Sequence, residues 1–248
     1  MKQFTLTPTI QNDIAEAKAK FDELTNSLNF HILKYFDLTR HSIKAYKLSP
    51  DAVIQLAIQM ANYRLGNGPV ATYESCSTAA FKHGRTETMR PATMATLAFL
   101  RALHEARPRP PQTELRAMMD ACSKRHFQLV KEASMGQGFD RHLFALKNLS
   151  QQDGGGGDTL PAIFQDPTYA HANRYVLSTS TLSTDSIIFG GFGPVVPDGY
   201  GIGYNVVSHG LGTCTSTYKQ HRNGQQFVDA LAEALNDIKG ILEGSGGQ

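Results

Sequence analysis

Three short stretches of the chain concentrate side chains able to do chemistry. In the first, Arg40 to Asp51, the cations Arg40, Lys44 and Lys47 precede Ser49-Pro50-Asp51. That triplet has the form of a helix start: a serine N-cap, proline at the first helical position and an acidic residue favourable to the helix dipole. Cations beside free backbone donors suit a phosphorylated ligand. Taken alone, the same residues also read as a solvated charged turn. The second stretch, Thr72 to Arg90, is dense in hydroxyl, carboxylate and cationic side chains. A buried strand does not satisfy such a density cheaply, so the stretch calls for a polar cleft or a surface loop. Cys76 within it reads as a small packing residue, because a thiol nucleophile needs an activating base. The third stretch is the Ser/Thr run Leu177 to Ser183, followed by a glycine-rich segment through Tyr204. A hydroxyl at a strand end can donate to an oxyanion, although such runs also serve as edge-strand surface. Gly190, Gly191 and Gly193 mark either bulges or space left for something long.

Helices are predicted at Asn12 to Asn26, from Ser49 to Gly66, at Ala92 to Ala106, at Thr113 to Ser134 and at Asp140 to Leu149. Leu28 to Phe36 reads as a strand, and Gly154 to Gly157 as a flexible surface loop. Beyond that loop the texture changes to short strands at Tyr175 to Ser178, Ser186 to Phe189, Gly201 to Val207 and Thr213 to Tyr218, then a helix from Gln226 to Leu242. The expected fold is α/β (α+β), a mixed sheet with packed helices.

The 248 residues allow one large domain or two small ones. At 41% hydrophobic and 19% charged the composition is that of a folded globular protein. Lys+Arg 24 against Asp+Glu 22 gives a net charge of +2, too little for a global field that attracts nucleic acid or acidic membrane. Three cysteines without close pairing argue against a disulfide framework or structural zinc. No signal peptide is expected from the acidic, h-region-free start, and no apolar run approaches the roughly 18 residues needed to span a bilayer.

Five blocks, in order along the chain, carry a resemblance: Ser49-Pro50-Asp51-Ala52, Tyr73 to Thr88, Met135 to Leu146, Leu177 to Thr181 and Pro194 to Tyr204. They are similar to the signature blocks of the choline/carnitine acyltransferase family. The resemblance implies a chloramphenicol-acetyltransferase-like fold, with residues 1–248 forming the C-terminal part and residues 1–36 connecting to an N-terminal half. It implies acyl-CoA and carnitine as substrates, with no metal and no covalently bound cofactor.

Position by position, Arg40 and Lys44 match the basic pair that meets the CoA phosphate, with Ser49 and Asp51 in the same CoA-binding stretch. Arg40 stands where relatives more often have lysine. Tyr73, Ser75 and Thr86 match the carnitine-binding hydroxyls, and Arg141 matches the arginine that pairs with the carnitine carboxylate. Ser180 matches the oxyanion donor. Gly190 falls where short-chain relatives carry a methionine that plugs the acyl tunnel, which implies a tunnel open to medium or long acyl chains. The family's general base is a histidine in a His-Ser/Ala-x-x-Asp-Gly motif, and none of the nine histidines here has that context. The base is therefore expected in the N-terminal half, and this chain alone is expected to be inactive. A non-catalytic carnitine/CoA-binding module is the alternative. A mitochondrial setting on the matrix side of the inner membrane follows from the resemblance alone.

Overall fold

A computed structural model describes residues 4–154, 160–181, 184, 186–187 and 189–244. Most of the glycine run at 154–157, together with Leu182, Ser183 and Ile188, lies outside them. Helix α1 (Pro8–Ser27) begins at a Thr7 cap with proline at its first position. Its stripe of Ile14, Phe21 and Leu24 is exposed, and the helix buries no residue. Strand β1 (Leu28–Tyr35) follows directly, and α2 (Arg40–Ala45) is held by a Thr39/Ser42 capping box. Helix α3 (Pro50–Arg64) is capped by Ser49, as its sequence predicts, and is buried without a break from Ala52 to Asn62.

The polar stretch after it turns as a loop at residues 78–85 but is otherwise mostly strand. It forms strands β2 (Thr72–Ser77) and β3 (Thr86–Met89), paired antiparallel from Glu74↔Met89 to Ser77↔Thr86. Helices α4 (Met94–His104), α5 (Gln112–Ser134) and α6 (Asp140–Gly154) come next. Helix α5 starts after Pro111 with no side-chain cap, so Thr113 is not its start signal. Two short helices, α7 (Ala162–Gln165) and α8 (Pro167–Ala172), precede strands β4 (Leu177–Thr181), β5 (Tyr200–Val207) and β6 (Gly210–Tyr218). Helix α9 (Gly224–Gly244) follows.

The six strands form one mixed sheet in the order β1-β6-β5-β4-β2-β3. Strand β4 runs parallel to both β2 and β5, and the other pairs are antiparallel. One face of the sheet is covered by α3, α5 and α9. There Ile54, Ile58, Phe99, Phe227, Leu231 and Ile238 are fully buried in one apolar cluster. Tyr200 on β5 packs its ring 4.4 Å from that of Phe227. The opposite face carries the exposed Phe30 and Ile32 of β1.

The strand expected at Ser186 to Phe189 does not form among its described residues. The chain instead lies flat over β5 and β6. A Cβ on Gly203 would meet the Gly190 carbonyl oxygen at 1.9 Å, and one on Gly201 would meet the Phe192 carbonyl oxygen at 2.4 Å. Glycine in β5 is therefore required for close approach of a second backbone.

Phe227→Ala should cost roughly 3–5 kcal/mol of stability, from lost transfer energy and a residual cavity. Phe21→Ala, on the exposed stripe of α1, should change stability by less than about 0.5 kcal/mol. Urea denaturation of the two variants beside the parent checks both values.

Candidate active site

Side chains alternate across a strand. In β2 that alternation places Thr72, Glu74 and Cys76 on the buried helix side, and Tyr73 and Ser75 on the open side. Parallel pairing of Tyr73 with Ser178 and of Glu74 with Thr179 brings β4 into the same phase. Ser75 and Ser180 consequently meet on the open face, with their hydroxyl oxygens 3.3 Å apart.

Arg141, one residue into α6, swings over β2 and β3. Its guanidinium donates to the Tyr73 hydroxyl at 3.0 Å, to the Thr86 hydroxyl at 3.4 Å and to the Thr86 carbonyl at 3.3 Å. The start of α6 is fixed from below, where the Arg141 amide donates to Glu87 Oε1 (3.2 Å) and Arg90 Nε to Asp140 (3.1 Å). Among the described residues no carboxylate pairs with Arg141. It is an exposed cation ringed by neutral oxygens, a good receptor for a ligand carboxylate. Tyr73, Thr86 and Arg141 are thus joined by hydrogen bonds, and Tyr73 and Ser75 share the open side of β2 with Ser180.

From Ser180 a cavity of about 120 Å³ leads along Ile187, Phe189, Gly190 and Phe192 to Gly203. Gly190 lines this largely apolar space together with Ser180. On the other side of β5, Arg40, Lys44, Ser49 and Asp51 surround a second pocket with Val206. Arg40 is anchored there by donating to the Val206 carbonyl at 2.6 and 3.1 Å. Ser49 Oγ accepts from the Ala52 amide at 3.3 Å and so is committed to capping α3.

Beneath the open site lies a polar layer that sequence reasoning missed. Glu74 is 4% exposed, and its Oε2 lies 3.0 Å from Nε2 of buried His126 on α5. Tyr204 on β5 donates to Asp51 Oδ1 at 2.6 Å, and Gln55 Nε2 donates to Thr179 Oγ1 at 2.9 Å. Burial pushes the Glu74 carboxyl up to about 7, against the downward pull of His126. Burial works against the His126 proton, but the hydrogen bond and charge of Glu74, with the charge of Asp51, outweigh it and raise that pKa. Asp51, Glu74 and His126 bring ligand-type atoms within 4.8 Å of one another, a spacing a divalent ion tolerates; in this arrangement they serve one another and Tyr204. A signal existed for His126: it continues the stripe of Leu115, Met119 and Cys122 along α5. Cys76 packs beside Met89 and Ala133, and burial raises its thiol pKa, which fits a packing role.

The model of the Choline/Carnitine o-acyltransferase family matches residues 2–233. The chain belongs to this family. It is 48% identical over 242 residues to carnitine O-palmitoyltransferase 2, mitochondrial, of Xenopus tropicalis, covering 97% of this chain and 36% of that protein. The Homo sapiens protein of the same name is 48% identical over 241 residues, with the same coverage. Carnitine O-acetyltransferase of Mus musculus is 37% identical over 245 residues, covering 97% of this chain and 38% of its own length. The chain thus spans little more than a third of the length of the curated relatives it matches. Among solved structures, the epimerization domain of tyrocidine synthetase B matches with a TM-score of 0.50 at 12% identity, covering 90% of this chain and 49% of that one. A chloramphenicol acetyltransferase matches with a TM-score of 0.43 at 12% identity, covering 89% of this chain and 95% of that one.

The Glu74–His126 pair predicts a pH dependence of stability. Both folded pKa values are raised, Glu74 from 4.5 to about 7 and His126 above 6.5. Each contribution is complete below the unfolded value and is lost as pH rises through the folded one. Tm should therefore fall as pH rises from about 5 to 8, and Glu74→Gln should flatten the fall. Thermal melts across that range check it.

Proposed function

We propose that this chain is the C-terminal part of a carnitine O-acyltransferase of the long-chain, palmitoyl type, exchanging acyl groups between carnitine and CoA. The observation that carries this reading is the grouping of Arg141, Tyr73 and Thr86 beside the Ser75–Ser180 pair. Arg141 would take the carnitine carboxylate, with the Tyr73 and Thr86 hydroxyls completing its shell. Ser75 would contact the same substrate. Ser180 would donate to the oxyanion formed when the thioester carbonyl is attacked, and the acyl chain would run along Gly190. Arg40 and Lys44 would meet the CoA phosphate, with Ser49 and Asp51 framing that pocket.

A histidine outside this sequence would supply the general base, transferring a proton between the carnitine hydroxyl and the CoA thiol as the acyl group passes directly from one to the other. An upstream part of the polypeptide is favoured by the relatives' greater length and by the exposed apolar residues of α1 and β1, which suit packing against further chain. The named palmitoyltransferase relatives are mitochondrial, and the reading places this enzyme in fatty acid oxidation on the matrix side of the inner membrane. No described helix is long and apolar enough to cross a membrane. A non-catalytic carnitine/CoA-binding module is the second reading, favoured by the openness of the site: Thr86 and Arg141 are exposed.

The deciding experiment is a coupled assay with palmitoyl-CoA and carnitine, following free thiol, for this chain and for one extended upstream. Turnover by the extended chain alone supports the reading, and turnover by the short chain moves the base into this sequence. In the active form, Arg141→Ala should raise the carnitine KM by about 10- to 100-fold, the loss of hydrogen bonds to a charged partner, and leave the acyl-CoA KM within about twofold. Gly190→Met should depress palmitoyl transfer relative to acetyl transfer, read from the chain-length profile.

A further inference from the structure

Tyr204 helps line the cavity of Ser180 and Gly190, and its hydroxyl reaches Asp51 of the basic pocket. It is 4% exposed, on the helix side of β5. Its phenol oxygen accepts from Gln55 Nε2 at 3.2 Å and lies 2.6 Å from Asp51 Oδ1 and 3.4 Å from Glu74 Oε1. A phenol has one proton to give, and the shorter distance assigns it to Asp51. Behind Asp51 stands His126, with Nε2 3.9 Å from Oδ2. Asp51 is the one acid of this layer with a partly open side chain, 37% exposed, and it opens into the pocket of Arg40 and Lys44.

An aspartate in a basic pocket poses a problem. If its carboxylate turned to Arg40 or Lys44 it would neutralise the charges that attract an anion. Among the described residues Asp51 makes neither ion pair, and Arg40 is instead drawn to the Val206 carbonyl. We propose that Tyr204, backed by His126, is a positioning residue that holds the Asp51 carboxylate inward. The cations then stay available to a phosphoryl group, and the open face of Asp51 is left to accept from an N–H or O–H on the same ligand. The pocket therefore selects a phosphorylated molecule that also carries a donor, rather than a bare anion. This deepens the CoA assignment and rests on it, since CoA carries phosphates together with amide, amine and hydroxyl donors.

The test is calorimetric titration of the 248-residue chain with CoA and, separately, with carnitine, for the parent, Tyr204→Phe, Asp51→Asn and the double variant. Tyr204→Phe should weaken CoA by about tenfold, as expected for one lost hydrogen bond to a charged group, and leave carnitine within about twofold. Because both residues act through one contact, the double variant should bind CoA no more weakly than Asp51→Asn alone. Unchanged CoA affinity in Tyr204→Phe, or losses that multiply in the double variant, would overturn the positioning role and leave the acyltransferase reading standing. A parent chain that takes up no CoA at millimolar concentration would instead remove the CoA pocket, and this inference with it. If thermal melts show Tyr204→Phe unfolded, Asp51→Ala at its partly open position decides: unchanged or tighter CoA binding there overturns the proposal.

Discussion

The parallel pairing of β2 with β4, and its register, governs the rest of this molecule. With Tyr73 opposite Ser178 and Glu74 opposite Thr179, two strands of strongly polar sequence divide into two phases. One phase presents Tyr73, Ser75 and Ser180 to the open face, and the other sends Thr72, Glu74 and Thr179 into the helix layer. A slip of one residue in β2 would reverse its set, exposing Glu74 and burying Tyr73. That alternative is closed by the helices. Gln59 on α3 donates to Thr72, Gln55 on α3 donates to Thr179, and His126 on α5 pairs with Glu74. The polar layer under the site thus fixes strand phase through directional bonds, which an apolar layer does far less selectively.

This accounts for a stretch whose polarity alone argues against a buried strand. Burial of Glu74 and Thr72 is costly only when their bonds are unmet. Here the bonds are supplied by residues far away in sequence: His126 is 52 positions from Glu74, and Thr179 is 124 from Gln55. The same logic operates on the open face in a different currency. Gly201 and Gly203 remove side chains from β5, so that the segment through Gly190 and Phe192 lies against the sheet and roofs the cavity that starts at Ser180.

Local signals in the sequence were sufficient for the elements whose causes are local. The Ser49-Pro50-Asp51 helix start, the last helix and the strands around Gly201 and Thr213 are each set by caps, periodicity and turn residues within a few positions. The motif blocks single out Arg40, Lys44, Ser49, Asp51, Tyr73, Ser75, Thr86, Arg141, Ser180 and Gly190; the fold brings the first four together at one pocket, Tyr73, Thr86 and Arg141 together by hydrogen bonds, and Ser180 and Gly190 together at another cavity. The segment at Ser186 to Phe189 shows the limit, since β-rich composition does not reveal whether a chain pairs in a sheet or lies across one.

What the sequence determined by itself was therefore the family and the mixed α/β character, together with the side chains proposed to face ligands, because these are written in contiguous blocks. What only the tertiary structure decided was which side chains stand behind them. Glu74, His126, Tyr204 and Gln55 come from β2, α5, β5 and α3; the stripe along α5 marks His126 as buried, but no local feature of the four names their partners. Their partnership is created by packing alone, where burial turns separate polar residues into obligatory partners.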